Sequence, residues 1–542
     1  MTPSPQTRTF AAPGAGTWEQ DSAHSPRPVT RWKYETFNGP FQRGFQEGTA
    51  RYGLLFDFLE PAVVNDFLYY RHRLVDPADG AEIGRRLGAA KHAFENKLWR
   101  DDLDRWDREI KPDSIRRNRA LETTPMERLD TEAFIAHLDA VRDNAGEMVY
   151  RHHIFTIASV LPVGHYVATA ADWTGLDSGA LLAPLKGSSR ISLGAQDELA
   201  QVGARLREAG VGPSDFTGTS AGDIITALGQ RRDALGTAVR AYLDAVGMRL
   251  AGGYDVADLC VVEMPDMLVA AFWAAREQAA RPDANGALAK VRDAVPAAHR
   301  AAFDELLEDA RGINRLRDER GMYNDMWGTG IARQALLEAG RRLAKAGAID
   351  DAALAIDATH EELVAALRGS AAGLGATLRE RSDWRRNAPL SEVPPFLGDA
   401  PHAPPPPDGL PPHALAAMRA FGTALHELFA PATPSDGAVI TGKPVSPGVY
   451  TGPARLITRT SDMNRLERGD VLVTASTSPA FNVVLPLLGA IVTDKGGQLS
   501  HAAIVAREYG IPAVVGTLRS TALIADRARI EVDGTHGRVR LL

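Results

Sequence analysis

From residue 30 to about residue 385, the apolar positions recur at helical spacing. The clearest case sets Ile331, Ala335, Leu336, Ala339 and Leu343 on one face, with arginines opposite and Gly347 placed to end the helix. Similar patterns run through residues 132–149, 191–209 and 223–246, separated by turn signals such as Gly252-Gly253, Pro282-Asp283 and Gly210–Pro213. Alternating strand patterns are scarce here. The pattern therefore predicts an all-helical body over residues 30–387, preceded by a flexible Pro/Ser/Thr/Gly-rich arm, residues 1–29.

The texture then changes twice. Residues 388–412 hold ten prolines in 25 positions, including the run Pro404–Pro407. Consecutive prolines favour a stiff extended chain, so residues 388–437 read as a semi-rigid linker with one short helix over 414–429. From residue 438 short apolar runs take over: Val471–Val473, Ala490–Thr493, Pro512–Val515, Ile530–Asp533 and Val539–Leu541, interrupted by one strong helix, Ser500–Tyr509. The predicted fold is multidomain: a large all-α N-terminal body followed by a compact α/β domain, residues 438–542.

Composition narrows the function classes. The chain has 542 residues, enough for about three or four domains. With 61 Lys+Arg against 68 Asp+Glu the net charge is −7, so no basic field points to nucleic acid or an anionic membrane. One cysteine, Cys260, cannot form an internal disulfide, and no Cys/His cluster suggests a metal. No run reaches 18 consecutive apolar residues, and the first 25 lack the apolar segment of a secretion signal. A cytoplasmic location is expected.

One stretch carries chemistry, residues 493–508. A strand ends at Thr493, and Gly496 and Gly497 permit a tight turn. Ser500 stands where a helix N-cap belongs, which puts His501 at the first helical position, beside free N–H groups and the positive end of the helix dipole. Such a place favours a bound anion, phosphate in particular, and a histidine there is a candidate nucleophile. A Ser-His pair at a helix start is, on its own, more often only a cap and an exposed ring.

The 24-residue string from Thr493 to Gly516 resembles the phosphohistidine swivelling domain of the PEP-utilising enzymes, shared by phosphoenolpyruvate synthase, pyruvate phosphate dikinase and rifampin phosphotransferase. Upstream, Pro444–Gly448, Gly452–Arg455, Gly469–Val473 and Pro486–Leu488 agree with it, as does Val532-Asp533-Gly534 downstream. The resemblance implies that His501 is the phosphorylated histidine and that Thr493, Gly496, Gly497 and Ser500 shape the phosphate site. It implies a phosphoryl group accepted from an ATP-grasp domain and carried to a second site. Neither an ATP-grasp domain nor a phosphoenolpyruvate-binding barrel is legible in the chain. A separate ATP-grasp protein bringing Mg-ATP is therefore the expected partner, with no tightly bound cofactor. Walker-like spacing at Gly437–Lys443 is discounted, since Pro444 replaces the hydroxyl residue needed there.

The helical body is similar, more diffusely, to the substrate region of rifampin phosphotransferase-like and phenylphosphate synthase-like proteins, through Phe41–Phe45, Arg51–Gly53, Leu185–Ser189 and Asn324–Trp327. Its candidate acceptor-binding residues are Tyr70, Arg71, His152, His153, His165 and Tyr254, which would hold a small hydroxylated acceptor with a histidine as general base. Any one of them is, taken alone, more often a helix-surface or satisfied core residue. The aromatic positions Phe56, Phe58, Phe67 and Tyr69 read as core. The expected function is a phosphotransferase component; the alternative is a phosphocarrier or regulatory phosphohistidine protein without small-molecule turnover.

Overall fold

The structure, a computed structural model, describes residues 8–188, 196–277, 286–401, 409–429 and 439–542. Helices dominate the first part, and their ends follow local chemistry. Asp130 caps the helix Thr131–Ile154 by accepting from the Ala133 N–H, and Gly175, at φ +68°, ends the next helix, Thr156–Thr174. The predicted face from Ile331 to Leu343 lies on the helix Met326–Lys345, followed by Gly347 at φ +75°. The stretch 131–174 is long and apolar enough to cross a membrane, but 78% of its apolar window is buried inside the protein. It forms the centre of the body, packed between the helices Arg31–Arg51, Arg300–Asn314 and Pro412–Phe429.

Three expectations are corrected. The body is not all-helical: Phe56–Val64, Phe67–Leu74, Thr17–Gln20 and Phe396–Gly398 form a four-stranded antiparallel sheet, in that order. Its hairpin turns at Asn65 and Asp66, both at positive φ, the conformation a two-residue hairpin turn requires. The aromatic alternation Phe56/Phe58 and Phe67/Tyr69 is the period-two pattern of these strands, and Phe56, Phe67 and Tyr69 are indeed core. The arm is not free over its described length either. Trp18 is buried, and its strand bridges the sheet.

The described parts of the linker are likewise docked. Phe396–Gly398 pairs with the strand Thr17–Gln20, and the helix Pro412–Phe429 lays Ala414, Ala417, Ala420, Phe421 and Ala424 into the core against Thr156–Thr174. Gly164 lets those two helices meet, because a methyl group there would run into the Ala420 carbonyl. The proline run 404–407 lies outside the described residues, as do Ser189 and Pro282-Asp283. The pattern over 223–246 is two helices, Ala221–Gln230 and Ala234–Val246, the second capped by Asp233.

The C-terminal domain has an eight-stranded mixed sheet in the order Val439–Thr441, Arg538–Leu541, Arg529–Asp533, Val449–Ile457, Val471–Thr474, Ala490–Thr493, Ala513–Val515, Lys443–Ser446. Pairing is parallel from Val449–Ile457 through Ala513–Val515. Parallel strands are covered on both faces, which is why Val471–Thr474 and Ala490–Thr493 are buried at every position. Arg455, within the strand Val449–Ile457, and Asp470, just before Val471–Thr474, are both buried and pair at 2.8 Å. Removing one partner of such a pair costs about 3–5 kcal/mol.

Candidate active site

The strand Ala490–Thr493 delivers the chain to the site. Thr493 is locked there, its carbonyl accepting from the Thr517 N–H at 3.0 Å and the Thr517 hydroxyl at 2.9 Å. Gly496 sits at φ +107°, and an added methyl would lie 2.8 Å from Ser500, so glycine is required twice over. Ser500 then caps the helix His501–Tyr509, accepting from the Ala503 N–H at 3.3 Å.

His501 is buried, at 8% exposure, and held at both ring nitrogens. Nδ1 lies 2.9 Å from Thr477 Oγ1 and Nε2 lies 3.1 Å from Asn482 Oδ1. Burial, reinforced by the Arg317 guanidinium, pushes its pKa down to about 3. The imidazole is therefore neutral at physiological pH, with one of its two nitrogens unprotonated. Arg317 comes from the helix Leu316–Arg320 of the body and donates to the Leu499 carbonyl, two residues before His501.

The domain rests on the body around this point. Gly497 and Leu499 donate backbone N–H groups to the carbonyls of Leu428 and Glu427 at 3.1 and 2.9 Å. Glu508 accepts from the Gly187 N–H at 2.7 Å, Ser476 donates to the Ala23 carbonyl at 3.0 Å, and Arg468 pairs with Glu277. The start of the His501 helix thus lies against the body, beside Arg317.

On the body side a run of polar groups begins at Arg317. Tyr254 shares its electrostatic surroundings with Arg317, Arg320 and Asp325. His152 Nδ1 lies 2.9 Å from Asp325 Oδ1, and its ring is 4.5 Å from that of His153, which packs at 4.5 Å on Phe41. Phe41 in turn meets Tyr70 at 5.3 Å, and burial, with the Asp21 carboxylate nearby, holds the Tyr70 phenol well above its usual pKa. Burial raises Asp325 to about 6 and, aided by Arg320, holds His152 well below its usual value. A carboxylate accepts only, so Nδ1 of His152 carries the proton. Its Nε2 keeps a lone pair and has no hydrogen-bond partner among the described residues. Asp325 reaches this position at the end of a π-helical turn, Gly321–Asp325, a local irregularity frequent at functional sites.

Of the residues singled out in the sequence, Tyr70, His152, His153 and Tyr254 share this neighbourhood. Two do not. Arg71 is spent on the sheet, bonded to Glu60 at 2.6 and 2.9 Å and lying over Trp18, and His165 packs edge-on against Phe94 and contacts Thr169. Sequence reasoning missed Thr477, Asn482, Arg317, Arg320 and the role of Asp325. The charge-dense run Arg315–Arg320 looks like a solvated face, yet Asp318, Glu319 and Arg320 are buried. That density of charge beside the apolar Leu316 was the available signal.

The family described as PEP-utilising enzyme, mobile domain, matches residues 466–537. The chain therefore carries a PEP-utilising enzyme mobile domain, with His501 inside it. It is 31% identical to a rifampicin phosphotransferase of Streptomyces sviceus over 335 residues, 56% of this chain and 34% of that protein. It is 45% identical to the rifampicin phosphotransferase of Bacillus cereus over 122 residues, 20% of this chain and 14% of that protein. A phosphoenolpyruvate synthase of Aeropyrum pernix matches at 45% over 109 residues, 20% of this chain and 13% of that protein. The chain thus spans about a third of the length of the long rifampicin phosphotransferase matches.

Proposed function

We propose that this chain is a phosphotransferase component in which His501 is transiently phosphorylated and passes the phosphoryl group to a small organic acceptor, a hydroxyl compound, held in the helical body. The observation that carries this reading is the placement of a neutral, buried histidine at a glycine turn and helix start, docked toward a polar cluster of the body through Arg317. Phosphoryl transfer asks chiefly for positioning and charge neutralisation. Arg317 supplies positive charge beside the transferring group, and the helix N-terminus adds to it.

In the discharge step the acceptor oxygen forms its bond to phosphorus while the N–P bond breaks and its electron pair returns to the imidazole. His152 Nε2 takes the hydroxyl proton, and Asp325 holds that ring in the required tautomer. Phe41, packed against Tyr70 and His153, is the aromatic part of this cluster. The relatives named for rifampicin make a hydroxylated aromatic compound a natural first acceptor to try. The phosphoryl donor is ATP, with Mg²⁺, through a separate ATP-grasp protein, and the cytoplasm is the setting where that donor is available.

The test mixes the chain with a candidate ATP-grasp partner and labelled ATP. Wild type should acquire acid-labile label and lose it on addition of a hydroxyl acceptor; His501→Ala should acquire none. Label that loads on His501 but never leaves for any hydroxyl compound would instead describe a phosphocarrier.

A further inference from the structure

The loop between the strands Val471–Thr474 and Ala490–Thr493 holds His501 at both nitrogens, through Thr477 and Asn482. Neither partner fixes the tautomer. A hydroxyl donates or accepts, and an amide presents oxygen or nitrogen after a half-turn about its last bond. Two equally partnered arrangements follow. In one, Nε2–H donates to Asn482 and Nδ1 accepts from Thr477. In the other, Nδ1–H donates to Thr477 and Nε2 accepts from the Asn482 amide nitrogen. Only the second leaves Nε2 the lone pair that attack on phosphorus needs.

The same loop has two buried polar atoms without a hydrogen-bond partner. Asn482 is 2% exposed; its Nδ2 is unpaired in the first arrangement and, in the second, loses its acceptor once the Nε2 lone pair is committed to phosphorus. Ser478, next to Thr477 and 7% exposed, has an unpaired hydroxyl although it stands at the N-cap of the turn Pro479–Val483. A buried donor left unpaired is costly, and an acceptor that arrives at His501 relieves that cost for both of these.

We propose that Asn482 and Ser478 form the seat of the phosphoryl group on His501. Asn482 selects Nε2 as the bonded nitrogen, and its amide and the Ser478 hydroxyl donate to the phosphoryl oxygens. This rests on the reading that His501 is phosphorylated. On loading, the Nε2 electron pair forms the N–P bond while the donor's bond to phosphorus breaks and that pair leaves with the donor atom, oxygen for a phosphate donor and nitrogen, as ammonia, for phosphoramidate. Nδ1 keeps its proton, donated to Thr477, throughout. On discharge the N–P pair returns to Nε2 and the ring departs as neutral imidazole, so His501 neither gains nor loses a proton.

The test uses full-length wild type, Asn482→Asp, Ser478→Ala and His501→Ala, with potassium phosphoramidate as the phosphoryl probe. Asn482→Asp matches asparagine in size and still faces Nε2–H with an acceptor, but it removes the donor and sets a negative charge against phosphate. Wild type should give a single ³¹P resonance of an Nε2-phosphohistidine, absent in His501→Ala. Asn482→Asp should reach about tenfold lower phosphoryl occupancy. Ser478→Ala should load but show a shifted resonance and lose its phosphoryl group about threefold faster. Should Asn482→Asp fail to fold, Ser478→Ala carries the same test. Variants that load, resonate and decay as wild type would overturn the proposal while leaving His501 as the phosphorylated residue. A wild-type chain that takes no label, or a His501→Ala chain that takes the same label, would overturn the reading beneath it.

Discussion

Two histidines on opposite sides of the contact between the mobile domain and the body, His501 buried and His152 largely so, are held in different ways. His501 is bracketed by uncharged partners, Thr477 and Asn482, each able to donate or accept. His152 is bonded to a carboxylate, Asp325, which can only accept. Burial keeps both rings neutral, but the partners decide what neutrality is good for. Ambivalent neutral partners suit a nitrogen that must bond to phosphorus and release it, since neither state of the ring is penalised. A carboxylate commits one nitrogen to a proton, leaves the other as a base, and stabilises the imidazolium that forms when the base has acted.

The largest effect that would break this comparison is at His152. His152→Gln should lower transfer from phosphorylated His501 to a hydroxyl acceptor by about 10²-fold or more while leaving the loading of His501 intact. Single-turnover measurements separate the two steps, and equal losses in both would deny His152 its distinct role. Arg317→Ala should slow loading and discharge together by about 10²-fold, because its charge serves the transferring group in either direction. A loss in only one step would place Arg317 on one side of the comparison alone.

Gly496→Ala acts on structure and not on chemistry. Positive φ and the contact with Ser500 should destabilise the protein by about 1–3 kcal/mol, seen as a lowered unfolding midpoint. The smallest effect is pH dependence. Both histidines have folded pKa values below the unfolded value of about 6.5, so the unfolded chain binds more protons as pH falls. Their contribution to stability is present above pH ~6.5 and is lost as the pH drops toward the folded values, about 3 for His501. Thermal unfolding between pH 7.5 and 5 should show the midpoint falling with pH. The fall should be shallower in His501→Ala and in His152→Gln.

The two sides also differ in how far they could be read from sequence. The mobile domain's turn, cap, helix and histidine lie within sixteen consecutive residues, and each follows from local backbone chemistry. Its flanking strands announce themselves as continuous apolar runs. The loop that holds His501 did not, because Thr477, Ser478 and Asn482 acquire meaning only when folding lays them over the ring. The body's cluster draws on positions as far apart as Asp21, Tyr70, His152, Tyr254, Arg317 and Asp325, with no shared motif. Periodicity placed its helices but passed over the hairpin at Asn65-Asp66, whose strands are partly exposed and show no clean alternation of buried and exposed positions. The docked helix Pro412–Phe429 was legible as a helix but not as core, since its proline-rich flanks suggested a free linker.

The central claim is that phosphate enters through His501. After incubation with an ATP-grasp partner and labelled ATP, peptide mapping under alkaline conditions should locate an acid-labile phosphoryl group on the peptide containing His501, and nowhere in His501→Ala. Label of equal amount in that variant, or label mapped to a histidine of the body such as His152, would contradict the account.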